Sequence, residues 1–351
     1  MTPLAHILKA RIRANGPISL ADYMAECLLH PTHGYYTTRE PFGAAGDFTT
    51  APEISQMFGE LLGLCLAQTW LDQGAPTPFT LAEIGPGRGT LMADVLRATK
   101  GVPGFHAALS LTLIEASPRL RTLQAQTLQG HAPTWLASIH DLPPRPLFLL
   151  ANEFFDALPI RQFQRAGPEW RERLVGMQDD QLCLGLGPIL PVPELTNRLS
   201  DTTDGQIVET CPAALPIMAE IGARIATQGT ALIIDYGDWR SNGDTFQALR
   251  AHKQVDPFAT PGEADLTAHV DFEALAHAAR PAAHAYTTQG AMLTSLGIAQ
   301  RSARLASNLT GAALQSHVEA TRRLTAPTEM GSLFKVLALY PAGAHPPPGS
   351  F

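Results

Sequence analysis

Charge is scarce in this chain. Asp, Glu, Lys and Arg make up only 16% of its 351 residues, and the formal net charge is −7. A general nucleic-acid binder needs clustered Lys and Arg to displace counterions from phosphate, so the composition argues against nucleic acid as a partner. An acidic balance suits a basic protein or a cationic ligand instead. Cysteine is scarcer still. Cys27, Cys65, Cys183 and Cys211 are widely spaced and form no CxxC, which leaves neither a disulfide framework nor a zinc site and points to a reducing compartment. No apolar run approaches the ~18 residues of a membrane span, so stable membrane insertion is not expected. The opening "MTPLAHILKARIRANGPISLADYMAE" lacks the apolar core of a signal peptide and reads as folded helix. The expected location is the cytoplasm, or the mitochondrial matrix if the source is eukaryotic. His30 and His33 form an HxxH with no suitably spaced third ligand, so no metal is expected. Neither a G-x-S-x-G elbow nor a Cys/His nucleophile pattern occurs.

What is present is apolar residue, at 45%, enough to bury a sizeable core in one large domain or two smaller ones. Residues 1–78 read as a mostly helical extension. "LAHILKARIRANG" is amphipathic and stopped by Gly16, and Ser19 is placed to cap a second helix with Asp22 in the capping-box position. A loop rich in Gly, Thr and Pro follows, and from about Pro52 the apolar positions take helical spacing. From residue 79 strands and helices alternate. "FTLAEIG", "LSLTLIEAS", "PTWLASI", "RPLFLLANEF" and "GTALIIDYG" read as strands one to five, with "AHAYTTQ" and "LFKVLALYP" as the last two. Such alternation implies an α/β fold, a mostly parallel seven-stranded sheet with helices on both faces, over residues 79–340. Residues 162–205 interrupt it as an insertion after strand four, in which "EWRERLVGMQDDQLCLGLG" reads as a hairpin turning at Asp179 and Asp180. Residues 239–275 form a second irregular stretch. The tail 341–351, "AGAHPPPGSF" with the proline before it, is expected to be disordered. There is no internal repeat.

The stretch "LAEIGPGRGTL" carries the first chemistry. A strand, a glycine turn and a helix hold a nucleotide-like ligand, because glycines let the backbone approach closely and the helix start presents free N–H groups. A P-loop is excluded, since Gly89 is followed by Thr90 and Leu91 rather than by a Lys. The dinucleotide fingerprint fails too, because its third glycine is replaced by Thr90. What stands is E-x-G-x-G-x-G, formed by Glu83, Gly85, Gly87 and Gly89, the form found in class I S-adenosylmethionine-dependent methyltransferases. That ligand carries no phosphate, and an acid before the glycines can meet its positive charge. Glu115, ending the second strand, can accept hydrogen bonds from both ribose hydroxyls and would repel the extra phosphate of NADP.

Beyond this loop the whole chain resembles the MidA family. The resemblance rests on "GYYTTREPFGAAGDFTTAPEISQMFGE", "LAEIGPGRGTL", "LANEFFDALPI", "GDTFQALRAHKQVDPFATPGEADLTAHVDF" and "TQGAML", and runs from about residue 4 to 340. The GDFTTAPEIS and NEFFDALP strings are far more specific than the glycine loop. What the resemblance implies is a class I methyltransferase fold, S-adenosyl-L-methionine as methyl donor and a protein arginine as acceptor. In the mitochondrial relatives that arginine lies on the quinone-pocket subunit of respiratory complex I.

Methyl transfer from a sulfonium is an in-line displacement, so alignment supplies much of the catalysis. An arginine acceptor is protonated at working pH and nucleophilic only as it loses its proton, which carboxylates can both grip and accept. "LLANEFFDALP" lies just past strand four, where ligands sit in open parallel sheets. Asn152 is placed beside the cofactor, and Glu153 and Asp156 as acceptor-binding acids. The same two positions also suit structural work, Asp156 as a cap and Glu153 as an acceptor for backbone amides. Asp141, after the third strand, is placed for the adenine amine, and His140 equally so. "GDFTTAPEIS" reads as a lid offering Asp47, Thr49, Thr50 and Glu53, or simply as the cap of the next helix. "ADLTAHVDF" brings Asp265, Thr267, His269 and Asp271 to the same rim, with His269 the one histidine of functional interest. The reading is a protein arginine methyltransferase. Its rivals are a methyltransferase for another residue or a small molecule, and a complex I assembly chaperone that uses the cofactor only structurally.

Overall fold

In the computed structural model the protein is described over residues 1–38 and 50–350. The chain forms two compact units, each gathered from separate stretches: residues 49–155, 216–238 and 272–351 make one, and residues 1–48, 156–215 and 239–271 the other.

The first unit is built on a sheet. Its strands are β1 (Phe79–Ile84), β2 (Leu109–Ile114), β3 (Thr134–Leu136), β4 (Leu147–Asn152), β5 (Gly229–Asp238), β6 (Ala283–Thr288) and β7 (Phe334–Tyr340). Across the sheet they run β6-β7-β5-β4-β1-β2-β3. All neighbours from β5 to β3 are parallel, and β7 lies antiparallel to both β5 and β6. Every residue of β1 and β4 is buried, as expected for central strands covered on both faces. Phe79, Phe105, Phe148 and Trp70 pack ring against ring at the base of this core. The strand order reverses between β1 and β4, which opens a crevice beyond their carboxyl ends where ligands bind in such sheets.

The helix Gln56–Asp72 belongs to this unit, so the boundary expected at residue 78 does not hold. Its Gly59 and Gly63 let it lie directly on the helix Thr90–Thr99; a Cβ on Gly59 would stand 2.6 Å from the Asp94 Cβ. Glu60, 4% exposed, accepts from both Arg97 and Arg301. Burial alone would raise its carboxyl, but the two guanidiniums outweigh burial and hold it below the usual carboxylate range.

The tail also departs from expectation, because it is packed. Cys65 Sγ donates to Pro348 O at 3.3 Å, Ser350 turns back onto Pro347 O, and Gly349 lies against Leu296 and the Met292 carbonyl. Consecutive prolines lower the entropy lost on ordering, so a few contacts suffice to hold the segment.

The second unit carries an antiparallel sheet of Arg161–Ala166, Glu169–Gln178, Gln181–Leu190 and Ile207–Thr210, with Ile18–Ser19 at its side. The hairpin forms where the sequence places it. Asp179 and Asp180 take φ of 48° and 61°, the paired left-handed conformation of a two-residue type I′ turn. The stretch after residue 239 supplies a small sheet of Gln247–Arg250, Lys253–Val255 and Asp265–Thr267, so it and the insertion share one unit. The helices Pro3–Asn15 and Leu20–Leu29 pack here through Leu4, Leu8, Tyr23, Met24 and Leu28. Gly16 ends the first at φ 86°, and Ser19 Oγ caps the second by accepting from Asp22 N–H. Among the described residues no helix is long and apolar enough to cross a membrane.

Close approach of backbones gives a direct test of the first unit. A Cβ on Gly222, in the helix Ala214–Ile225, would meet the carbonyl oxygen of Ala279 at 1.9 Å. Gly222→Ala should therefore destabilise by roughly 1–3 kcal/mol, because a backbone cannot step aside as a side chain can. The thermal midpoint should fall by several degrees. An unchanged midpoint would show that these two segments do not approach as described.

Candidate cofactor site

The glycine loop leaves β1 through three left-handed positions, with φ of 64° at Gly85, 52° at Gly87 and 83° at Gly89. Only glycine takes such angles without penalty. Gly85 is constrained twice, since a Cβ there would also stand 2.9 Å from the Phe154 ring. The Gly85 N–H donates to Ile114 O, which ties the loop to β2, and Gly89 caps the helix Thr90–Thr99.

Two acceptors lie buried beside this loop. Glu83 pairs with Leu150 across β1 and β4, and Asn152 stands two residues beyond Leu150, so Glu83 and Asn152 share a sheet face. Glu83 is 3% exposed and Asn152 8%. Among the described residues, Glu83 Oε2 and Asn152 Oδ1 have no hydrogen-bond partner. Burial pushes the Glu83 carboxyl up to about 8, against the lowering effect of the Met92 N–H. Orphaned acceptors at a strand end ask for a donor, and an acid held neutral for want of solvation asks for a cation. A ligand carrying an ammonium group, seated over bare glycine backbone, fits both demands.

Glu115 follows β2 directly. Its Oε1 accepts from Ser117 N–H at 2.8 Å and its Oε2 from Gln124 Nε2 at 3.2 Å, while Arg121 donates twice to its carbonyl. Burial raises its carboxyl despite those donors. Each carboxylate oxygen accepts about two hydrogen bonds, so Glu115 keeps capacity for a diol. Asp141 ends the short turn Ile139–Asp141 after β3 and is exposed, whereas His140 is turned to Glu220, with Nδ1 to Oε2 3.3 Å.

Thr50 sits at the start of the short helix Ala51–Ile54 and offers it no side-chain bond. Glu153 does so instead. Its Oε1 accepts from Ala51 N–H at 3.1 Å and from Asn152 Nδ2 at 2.9 Å, and the residue holds φ 52°. Glu53 Oε1 in turn accepts from the Thr90 hydroxyl at 2.7 Å. The segment 50–54 is thus tied both to the end of β4 and to the first residue of the glycine-loop helix. Asp47 and Thr49 lie outside the described residues.

The other expected residues fall in the second unit. Asp156 is 7% exposed, and its carbonyl accepts from Ala268 N–H at 3.0 Å. The Asp265 carboxylate accepts from the Tyr36 hydroxyl at 2.9 Å; burial and then that carboxylate hold the phenol well above its usual range. His269 N–H donates to Thr245 Oγ1, and Asp271 accepts from Ser241 N–H and faces Arg198. The Asp265 and Asp271 carboxylates thus meet Tyr36 and Ser241 within their own unit, and His269 is tied there to Thr245 through its backbone. His30 and His33 stack on each other, and no group of His, Cys, Asp or Glu among the described residues is arranged to hold a metal.

Two features at this rim escape a reading of local sequence. Phe154 backs Gly85, and Gln124 reaches from the helix Pro118–Thr127 to both the glycine loop and Glu115. Gln124 left a trace: it stands four residues after Leu120, on the buried face, and an amide there needs partners.

Residues 61–291 match the model of a family described as S-adenosyl-L-methionine-dependent methyltransferases. The human mitochondrial protein arginine methyltransferase NDUFAF7 is 37% identical, over 97% of this chain and 84% of its own length. The mitochondrial homologue from Drosophila melanogaster is also 37% identical, over 96% and 85%. A protein from Burkholderia thailandensis, crystallised with S-adenosyl-homocysteine bound, superposes with a TM-score of 0.83 at 29% identity, over 99% of this chain and 94% of that one. The glycine loop, its flanking acids and these likenesses across nearly the full length converge: the chain belongs to this methyltransferase family, the MidA family that its sequence strings resemble.

Proposed function

We propose that this protein transfers a methyl group from S-adenosyl-L-methionine to an arginine side chain of another protein. The observation that carries the cofactor half is the pair of orphaned acceptors, Glu83 Oε2 and Asn152 Oδ1, on one sheet face beside the glycine loop. An amino group at that point satisfies both and lets Glu83 ionise. Glu115 takes the ribose hydroxyls, and Asp141 lies in the following loop for the adenine amine. Thr50 and the segment behind it close on the glycine loop through Glu53 and Glu153. The cofactor supplies an electrophilic methyl group. The protein's own work is to align the acceptor and to take a proton from a guanidinium that is otherwise always charged. For that work we assign Glu153, at the end of β4 beside Asn152. The choice of arginine is supported by the names of the relatives, and the family resemblance extends it to the quinone-pocket subunit of respiratory complex I.

The first test is thermal. S-adenosylhomocysteine at 100 times its Kd should stabilise the folded protein by about 2.7 kcal/mol, NAD should not, and Glu115→Ala should abolish most of the shift. Stabilisation by NAD alone would overturn the cofactor assignment. Purified quinone-pocket subunit, incubated with the enzyme and labelled S-adenosyl-L-methionine, should then yield methylarginine on hydrolysis. Label on another residue would overturn the arginine assignment. Glu153→Gln should lose transfer while keeping the thermal shift; a chaperone would keep its partner and biological effect.

Glu83 makes a separate prediction about pH. Its folded pKa, about 8, lies above the ordinary 4.5, so the stability it allows is fully present below pH 4.5 and is lost as pH rises through 8. Relative to Glu83→Gln, the wild-type midpoint should match near pH 4, fall behind between pH 4.5 and 8, and then run parallel. Affinity for S-adenosylhomocysteine should rise over the same interval in the wild type alone, because ionised Glu83 is the form that meets the ligand. A difference between the two proteins that does not change with pH would refute both statements.

A further inference from the structure

Gln124 is a buried amide with all its partners at the cofactor rim, and the family reading gives it no task. It is 0% exposed. Its Nε2 donates to Gly87 O at 2.9 Å and to Glu115 Oε2 at 3.2 Å, and its Oε1 accepts from the Trp135 indole N–H at 2.8 Å. Trp135 lies on β3 opposite Leu113 of β2, two residues before Glu115, and Glu115 N–H donates to Leu136 O. The backbone of Gly89 also rests on Gln124, where a Cβ would stand 3.6 Å from the Gln124 Cα.

We infer that Gln124, oriented by the Trp135 indole, is the positioning residue of the cofactor site, fixing Glu115 and the middle of the glycine loop relative to each other before the cofactor arrives. The chemistry is specific to an amide at this point. The Trp135 N–H can only donate, so it forces the Gln124 oxygen toward β3 and both amide hydrogens toward the rim. One hydrogen then holds the Gly87 peptide in its left-handed turn. The other holds one carboxylate oxygen of Glu115, while Ser117 N–H holds the second. Glu115 is left with its remaining lone pairs facing outward in a fixed plane, which suits two adjacent hydroxyls and no anionic group. A carboxylate at position 124 would face the indole correctly but repel both Gly87 O and Glu115. An apolar side chain of the same length would leave Glu115 free to turn.

The inference rests on the S-adenosyl ligand of the proposed function, and calorimetry with S-adenosylhomocysteine separates the two. Gln124→Met should weaken binding roughly tenfold, and Trp135→Phe should weaken it less, in the same direction. In the Glu115→Ala background, Gln124→Met should add little, because its main route of action is already gone. Ligand binding should change the indole fluorescence of the wild type, and that change should be missing from Trp135→Phe. Thermal midpoints without ligand, measured alongside, identify any variant whose fold is lost, and Trp135→Phe keeps the ring packing if Gln124→Met does not fold. Unchanged affinity in both variants, or losses at Gln124 and Glu115 that simply add, would overturn the positioning role while leaving the cofactor assignment in place. A wild-type protein that fails to bind S-adenosylhomocysteine would overturn both.

Discussion

An unsolvated carboxyl group governs this structure. Glu83 stands at the end of the central strand, buried, with one oxygen that no donor among the described residues meets. Stability alone would favour an apolar residue there. The cost is borne where the sheet reverses its order, and the elements around that point are arranged as if to complete the missing bond. The glycine loop follows it, Asn152 adds a second acceptor on the same face, and Glu115 stands just past the end of the neighbouring strand. In the proposed function, an acid that is neutral until its ligand arrives couples binding to ionisation and selects the ligand by charge as well as by shape.

Glu153 shows a related economy. Its carboxylate joins the end of β4 to the start of the helix Ala51–Ile54, and Glu53 of that helix joins the Thr90 hydroxyl. The segment before the glycine loop is therefore anchored by acids at both ends. The residue proposed to bind the acceptor is also the one that holds this segment. Its left-handed φ, uncommon for a residue with a side chain, is what aims the carboxylate there.

Much of this was legible in the sequence, for definite reasons. β1 and β4 are short continuous apolar runs, and such runs bounded by glycine or acid at their carboxyl ends read as buried parallel strands. Asp179 and Asp180 between two strand-like segments named their own turn. Glu83 and Glu115 could be placed because each terminates a strand, and strand ends are where such sheets hold ligands. What was not legible depends on partners distant in sequence. Nothing in the local pattern of residues 56–72 says that Gly59 and Gly63 face Asp94 and Val95, so the packing of this helix on the helix Thr90–Thr99 is not legible in its own sequence. The proline-rich tail has a disordered composition, and only Cys65, Met292 and Leu296 make it order. Asp265, Thr267, His269 and Asp271 are close in sequence, but a strand ends between them, and Asp265 and Asp271 accept from Tyr36 and Ser241, partners that local sequence does not reveal.

The assembly of the second unit from three chain stretches has a consequence in time. Tyr23 donates its hydroxyl to Pro257 O, 234 residues away, and Thr2 donates to Pro261 O. At ordinary ribosomal speed the first two helices emerge roughly ten to fifty seconds before the residues that cover them. Through that interval Leu4, Leu8, Tyr23 and Leu28 lack the part of their core that Ala248, Ala264, Leu266 and Ala268 supply, and long-range contacts of this kind form slowly even afterwards. The amino-terminal helices therefore spend most of synthesis with an incomplete apolar cover, the condition in which a molecular chaperone helps and a stalled chain aggregates.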